Sequence, residues 1–384
     1  MKLGLISAGV VALLLKLVLA ASTAGTNDAR TWEHNLTALR TVGFAGLYRQ
    51  GVQYDVQYDS PSGRLSQRQV FIHPPAVLHG IAILGNRFWL RAACALADAG
   101  TLALLWSMFR GRAELLIIAL SPAAILISGF HGNTDPIMMF FLVAAVFFAE
   151  RGHATRAGCA FGLACSVKVI PLIFALAILL CLPGLRPRLK WLAAGLAIWI
   201  ALSLPYLAQE PLLILRSMLG YGGATGLWGF SLVTSTTYDA ARKWIALLAA
   251  SCLPLMTKRR LFEQCGLIAF LFLFLSPGFG LQYLAWTLPW TVVYKGTLCR
   301  RAMFAYHAIA GAAALAIYAA ASQNTSAGVY ADLLNPAHFP VLILMGIVCW
   351  IAIGLSMAIL WADRSPALPA TPGDPGSIAA TPDC

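Results

Sequence analysis

The chain has 384 residues, 59% of them hydrophobic and only 11% charged, with a net charge of +12 and a mean hydropathy of +0.76. A water-soluble domain of this composition would lack polar cover for its surface, so that class is excluded. The positive charge does not indicate a nucleic-acid partner, because it falls in short clusters between apolar runs, with no basic face carrying stacking aromatics.

The clusters are Arg110/Arg112, Arg151/Arg156, Arg186/Arg188/Lys190, Lys258/Arg259/Arg260 and Lys295/Arg300/Arg301. They follow the positive-inside pattern and suit anionic lipid headgroups. The expected fold is an all-α polytopic membrane protein with about twelve spanning helices. In chain order these are predicted at 4–22, 87–109, 114–130, 135–149, 155–168, 170–183, 190–207, 240–256, 262–276, 281–294, 302–321 and 339–362. The first has features of a signal peptide, but it reads as a retained span because many spans follow it. The fifth and sixth are short, and Pro171 in "KVIP" makes them a broken pair. With the N-terminus in the cytoplasm, all five basic clusters fall on the cytoplasmic side.

Three external segments follow from that topology. In residues 23–86, Trp32, Leu36, Leu39 and Leu47 recur near helical spacing, with Arg30, Glu33 and Arg40 on other faces. That pattern predicts a helix lying in the interface. "HPPAVLHGIAILG" predicts a second, opened by Pro74 and Pro75. Residues 208–238 contain "GYGGATGLWGF", too irregular for lipid unless buried in protein or lining a cavity. Residues 322–338 carry little charge. The expected division is a membrane domain at 1–362 and a disordered, Pro/Ala-rich cytoplasmic tail at 363–384. Most of the nine cysteines lie in or beside apolar runs and none forms a C-x-x-C pair, so they read as small core residues.

Several polar residues stand at the external ends of spans. Asp28, in "AGTNDARTW", fits a helix N-cap and equally a carboxylate base for an incoming hydroxyl; Asn27 could take the cap and leave Asp28 free. In "FHGNTDP", Gly132-Asn133 is turn chemistry and Asp135-Pro136 a helix start, which explains Asp135 well and His131 poorly. Lys168 lies between two short apolar helices, where an ammonium needs a compensating anion or must snorkel to the headgroups. Arg91 and Asp98 share a helix face and read either as a polar ladder or, for Arg91, as an anion ligand. In "SPGFGLQYLAWTLPW", an aromatic belt explains Tyr283 and Trp286 but does not require the turn beside Gln282. A phosphate would match Lys168 or Arg91, and a hydroxyl acceptor would match Asp28.

The ordered series "GTNDARTWEHNLTALRTVGFAGLY", "HPPAVLHG", "LRAACALAD", "SPAAILISGFHGNTDP", "GCAFGLACSVKVIP" and "SPGFGLQYLAWTLP" resembles the GT-C superfamily. These are integral membrane glycosyltransferases that use dolichyl- or polyprenyl-phosphate sugars. The likeness is to the mannosyl- and glucosyltransferase branch and its bacterial relatives. It implies Asp28 as catalytic base, inversion at the anomeric carbon, and Lys168 with the 276–283 turn near the donor phosphate. Related enzymes often carry a cation in that turn; "PGFGLQY" has none, so phosphate binding would lean on Lys168, Arg91, His131 or Arg216. Asn133, Asp135, His73, Gln282 and Tyr283 are the expected substrate-cavity residues.

The function this reading supports is transfer of a hexose from a polyprenyl-phosphate sugar to a hydroxyl on a glycan, lipid or protein. It would occur at the periplasmic face of a bacterial inner membrane, with both chain ends cytoplasmic. No cofactor is expected and the chemistry fits without a metal, although a divalent ion stays an open alternative (Asp55 and Asp59 are no D-x-D pair). The competing reading is a transporter or flippase, which should place its ionisable groups near mid-bilayer.

Overall fold

The computed structural model describes residues 2–50, 52–56, 65–69, 71–110, 113–208, 210–220, 229–232, 238–278, 280–293 and 297–363. The Gly-rich stretch 221–228, Asp59, Arg112, Lys295 and the tail 364–384 lie outside the described residues.

Helix α1 (Lys2–Ser22) leads into strand β1 (Thr23–Thr26) and helix α2 (Asn27–Gln50), which is broken at Gly43. A hairpin of β2 (Val52–Val56) and β3 (Leu65–Gln69) precedes α3 (Ala76–Leu84). Then come α4 (Arg87–Met108), α5 (Glu114–Ala119), α6 (Pro122–Leu126), a π-turn at Ile127–His131, α7 (Asp135–Ala149) and α8 (Ala154–Val167). A 3-10 turn at Ile170–Phe174 opens α9 (Ala175–Cys181), followed by α10 (Leu185–Leu207), α11 (Pro211–Gly220), α12 (Asp239–Cys252) and α13 (Leu261–Leu275). Two 3-10 stretches, Leu281–Trp286 and Leu288–Val293, lead to α14 (Thr297–Ala321). Strands β4 (Ser322–Thr325) and β5 (Gly328–Ala331) separate it from α15 (Phe339–Ala362).

Apolar side chains are displayed outward along these helices. On α1, Leu3, Ile6, Val10, Leu14 and Val18 are all exposed, a stripe three or four residues apart that only lipid can cover. Among the described residues, six helical segments are long and apolar enough to cross a membrane: Leu3–Ser22, Arg87–Met108, Glu114–His131, Leu185–Leu204, Thr297–Ala321 and Pro336–Ala362. Asp135–Ala149, Ile170–Cys181 and Leu261–Leu275 are shorter apolar helices. The protein is an integral membrane protein. Length and hydropathy therefore do not give all twelve of the expected spans. Within the helix expected at 281–294, residues 281–286 and 288–293 depart most, forming 3-10 stretches. There Thr287 and Thr291 hydroxyls donate to the carbonyls of Leu284 and Leu288, three residues back, favouring the tighter winding.

Two apolar clusters form. The larger is the interior of the bundle. The smaller joins Trp32, Leu36, Leu39 and Leu47 of α2 to Phe71, α3 and Tyr206, Ile214 and Met218. It roofs the end of the bundle where α1 gives way to α2. Beside that roof lies a three-stranded sheet in the order β1-β5-β4. Strand β1 pairs parallel with β5, setting Thr26 opposite Ala331, while β4 and β5 form an antiparallel hairpin. The start of the first external loop is thus clipped to the segment before the last helix.

Candidate active site

The clip determines where Asp28 points. The Thr26 hydroxyl donates to the carbonyl oxygen of His131 at 2.7 Å and accepts the backbone N–H of Asp28 at 3.2 Å, so Thr26 is the residue that caps α2. Asn27 faces the other way. Its amide donates to Asp332 Oδ1 at 2.8 Å, and its Oδ1 accepts the Leu333 N–H at 2.7 Å. Asn27 is a clasp to the late loop and not the helix cap. Asp28 is left with its side chain uncommitted to capping.

The π-turn at Ile127–His131 ends in Gly132, whose φ of +84° lies in the left-handed region. A Cβ there would sit 2.7 Å from that of Ala29, so only glycine lets "HGNTD" close against the start of α2. His131 Nε2 then lies 3.0 Å from Asp28 Oδ2, and the Asn133 amide donates to the same oxygen. The other ring nitrogen of His131 meets the Tyr318 hydroxyl at 2.7 Å. Asp28 Oδ1 has no hydrogen-bond partner among the described residues, and the side chain keeps 33% of its exposure. One oxygen is held; the other is left without a partner among the described residues, on a side chain that is still partly exposed.

Burial pushes the Asp28 carboxyl up, but the His131 ring, its hydrogen bond, the Asn133 amide and the Lys168 charge outweigh it and bring it to about 2. A carboxyl depressed in the folded state contributes stability that is present above its ordinary value of 3.8 and lost as pH falls through about 2. Asp28 should therefore show no protonated carboxyl band above about pH 4 in difference infrared spectra against Asp28→Asn. A band titrating near neutrality would contradict this geometry.

Beneath Asp28 lies a second carboxylate. Lys168 Nζ donates to both oxygens of Asp135 at 2.8 Å, and Trp286 Nε1 donates to Oδ1 at 2.6 Å. Asp135 has no exposed surface, while Lys168 keeps 12%. Two of the three ammonium N–H groups are thus committed, leaving one to donate elsewhere. Tyr283 stacks on Trp286 with ring centroids 4.1 Å apart, and Lys168 Nζ lies 5.5 Å from the Tyr283 centroid. Lys168 bears electrostatically on both Asp28 and His73, so the three side chains lie near one another.

The structure brings together Asp28, His131, Asn133, Asp135, Lys168, Tyr283 and His73, and it changes several expected roles. Arg91 is fully buried. Its guanidinium donates to the Ala20 and Thr23 carbonyls at 2.6 Å and to Thr23 Oγ1 at 2.8 Å, so it anchors the end of α1 and holds nothing for a phosphate. The expected ladder with Asp98 is also absent, because Asp98 pairs with Lys16. Both His131 nitrogens are engaged by Asp28 and Tyr318, which removes His131 from phosphate binding. Asp135 starts α7 as expected, yet it is the counter-ion of Lys168 and, with no exposed surface, offers nothing to a substrate. Gln282 folds back over Gly280, where an added Cβ would sit 2.3 Å from Gln282 Oε1. His73 packs against Trp32 with centroids 4.8 Å apart. Burial and Lys168 push it down to about 3, so it is neutral and contributes an apolar ring edge. Tyr318 and the Asn27–Asp332 clasp were not anticipated. Tyr318 sits within an apolar span where nothing in sequence marks it, and the clasp joins residues 305 positions apart.

Among the described residues, no three His, Cys, Asp or Glu side chains cluster as metal ligands would. The model of the mannosyltransferase (PIG-M) family matches residues 127–200, the stretch carrying His131, Asn133, Asp135 and Lys168. The chain is similar in fold to ArnT from Cupriavidus metallidurans in the apo state, with TM-score 0.48 and 12% identity over 92% of this chain and 76% of that one. A comparison with curated proteins finds no match. The family match supports the class read from the sequence, a GT-C membrane glycosyltransferase.

Proposed function

We propose that this glycosyltransferase moves a hexose from a polyprenyl-phosphate sugar to a hydroxyl acceptor, with inversion and with Asp28 as base. The observation that carries the reading is the divided carboxylate: Oδ2 is fixed by His131 and Asn133, while Oδ1 has no partner among the described residues on a partly exposed side chain. The acceptor oxygen attacks the anomeric carbon as its proton passes to Asp28 Oδ1. The bond from that carbon to the phosphate oxygen breaks, and the polyprenyl phosphate leaves with the electron pair. Attack opposite the leaving group inverts the centre. The remaining N–H of Lys168 supplies a charge-assisted hydrogen bond to the departing phosphate. Asp135 and Trp286 orient that ammonium. The mannosyl donor named by the family match is the first sugar to test.

The transporter reading finds less support. The Lys16–Asp98 ion pair between α1 and α4 is closed on itself beside a cavity of about 20 Å³, room for a single water and no substrate path.

The test is to incubate purified protein with a panel of polyprenyl-phosphate sugars and an acceptor extract. We expect one donor to be consumed with release of polyprenyl phosphate; consumption of none, alongside transport in vesicles, would reverse the assignment. The reading sets the site on the periplasmic face, a side supported by the distribution of basic clusters. A cysteine at Asn324, exposed in β4, should then react with an impermeant maleimide in intact cells. Labelling only after lysis would invert the topology.

A further inference from the structure

On the face opposite Asp28, the turn from α7 into α8 and the start of α10 border an open cavity of about 470 Å³. His153, Thr155, Arg156, Arg186 and Lys190 line it, and no acidic side chain among the described residues does. Glu150, close by in sequence, is engaged elsewhere: it pairs with Arg260 at 2.6 Å and accepts the Phe262 N–H at 3.1 Å. Arg156, Arg186 and Lys190 have no ion-pair or hydrogen-bond partner among the described residues.

The packing of α8 on α10 explains why these cations converge. Gly158 lies against Trp191 and Gly162 against Gly195, so the helices run parallel with their starts side by side. A Cβ on Gly158 would sit 2.2 Å from the Trp191 carbonyl oxygen, and one on Gly162 would sit 2.5 Å from that of Gly195. Only small residues permit backbones this close. Cations from two separate turns therefore share one cavity, where the positive-inside rule alone would scatter them over the face.

A ligand for this cavity must be anionic, and the surface beside it indicates where that anion is carried. Leu185, Leu189, Leu192 and Leu196 are all exposed on α10 at spacings that share one helix face. This apolar stripe begins at the cavity's edge and runs along the helix into the bilayer. We infer that the cavity binds the headgroup phosphate of an anionic phospholipid whose acyl chains lie along α10. The site is separate from the transfer site and does not depend on its assignment.

The full-length protein in detergent is titrated with dioleoyl phosphatidylglycerol or dioleoyl phosphatidylcholine, and bound lipid is counted by native mass spectrometry. Phosphatidylglycerol should be held at least about tenfold more tightly. R156Q/R186Q/K190Q should remove that preference, while K258Q/R301Q, which neutralises cations elsewhere on the same face, should keep it. The three side chains are exposed, so melting temperature should stay at the parental value, and the single R186Q variant should give a partial loss in the same direction. Equal retention of the two lipids, or a preference that survives the triple variant, overturns the inference. Inorganic pyrophosphate in large excess provides the remaining arm. Failure to displace phosphatidylglycerol supports a lipid ligand, and displacement assigns the cavity to a water-borne phosphate and overturns the lipid assignment.

Discussion

Asp28→Asn is expected to lower sugar transfer by about a hundredfold to ten-thousandfold, the range that a positioned general base supplies, with folding and donor binding little changed. The substitution keeps the side chain's size and leaves an acceptor oxygen for His131 or Asn133. It removes only the capacity of Oδ1 to take a proton. Transfer from a labelled polyprenyl-phosphate sugar, measured beside donor affinity, separates the two effects. Full activity would remove Asp28 as base, and lost donor affinity would make its role one of substrate binding.

Lys168→Ala has the second large effect, and it acts first on stability. Asp135 is wholly buried and depends on Lys168 for two of its contacts. Removing the ammonium strands a charge in a low-dielectric interior, at a cost of about 3–5 kcal/mol. Asp135→Asn combined with Lys168→Met removes both charges and should recover most of that loss in a thermal unfolding measurement. Transfer should remain low in the double variant, with donor affinity weakened more than acceptor affinity. A double variant with parental transfer rates would leave Lys168 a purely structural role.

The features legible in sequence were those that violate lipid solubility. Lys168, Asp28, His131 and Asn133 stood out because polar groups at the ends of apolar runs need a partner, and the structure gathers them at one end of the bundle. The same rule misassigned Arg91. A guanidinium that satisfies the backbone carbonyls closing α1 has the same sequence signature as one awaiting a phosphate, since carbonyl demand at helix ends leaves no mark in residue type. Asp135 was read as a local helix start, which it is, but its counter-ion lies 33 positions away. The helix expected at 281–294 failed for a local reason, because threonine hydroxyls returning to carbonyls three residues back compete with regular winding. The late external segment was marked in sequence only by its low charge, because parallel strand pairing across most of the chain has no local signal.

The pairing of β1 with β5 also bears on when the protein becomes competent. The acid sits in the opening tenth of the chain, yet the strand that fixes its bearing, and the tyrosine behind its histidine, belong to the last fifth. During synthesis the early helices can enter the bilayer long before those elements emerge. Until they do, Asp28 lacks both the strand pairing beside it and the Tyr318 hydroxyl behind His131, so a nascent or prematurely ended chain can integrate into the membrane before the arrangement proposed for transfer is assembled.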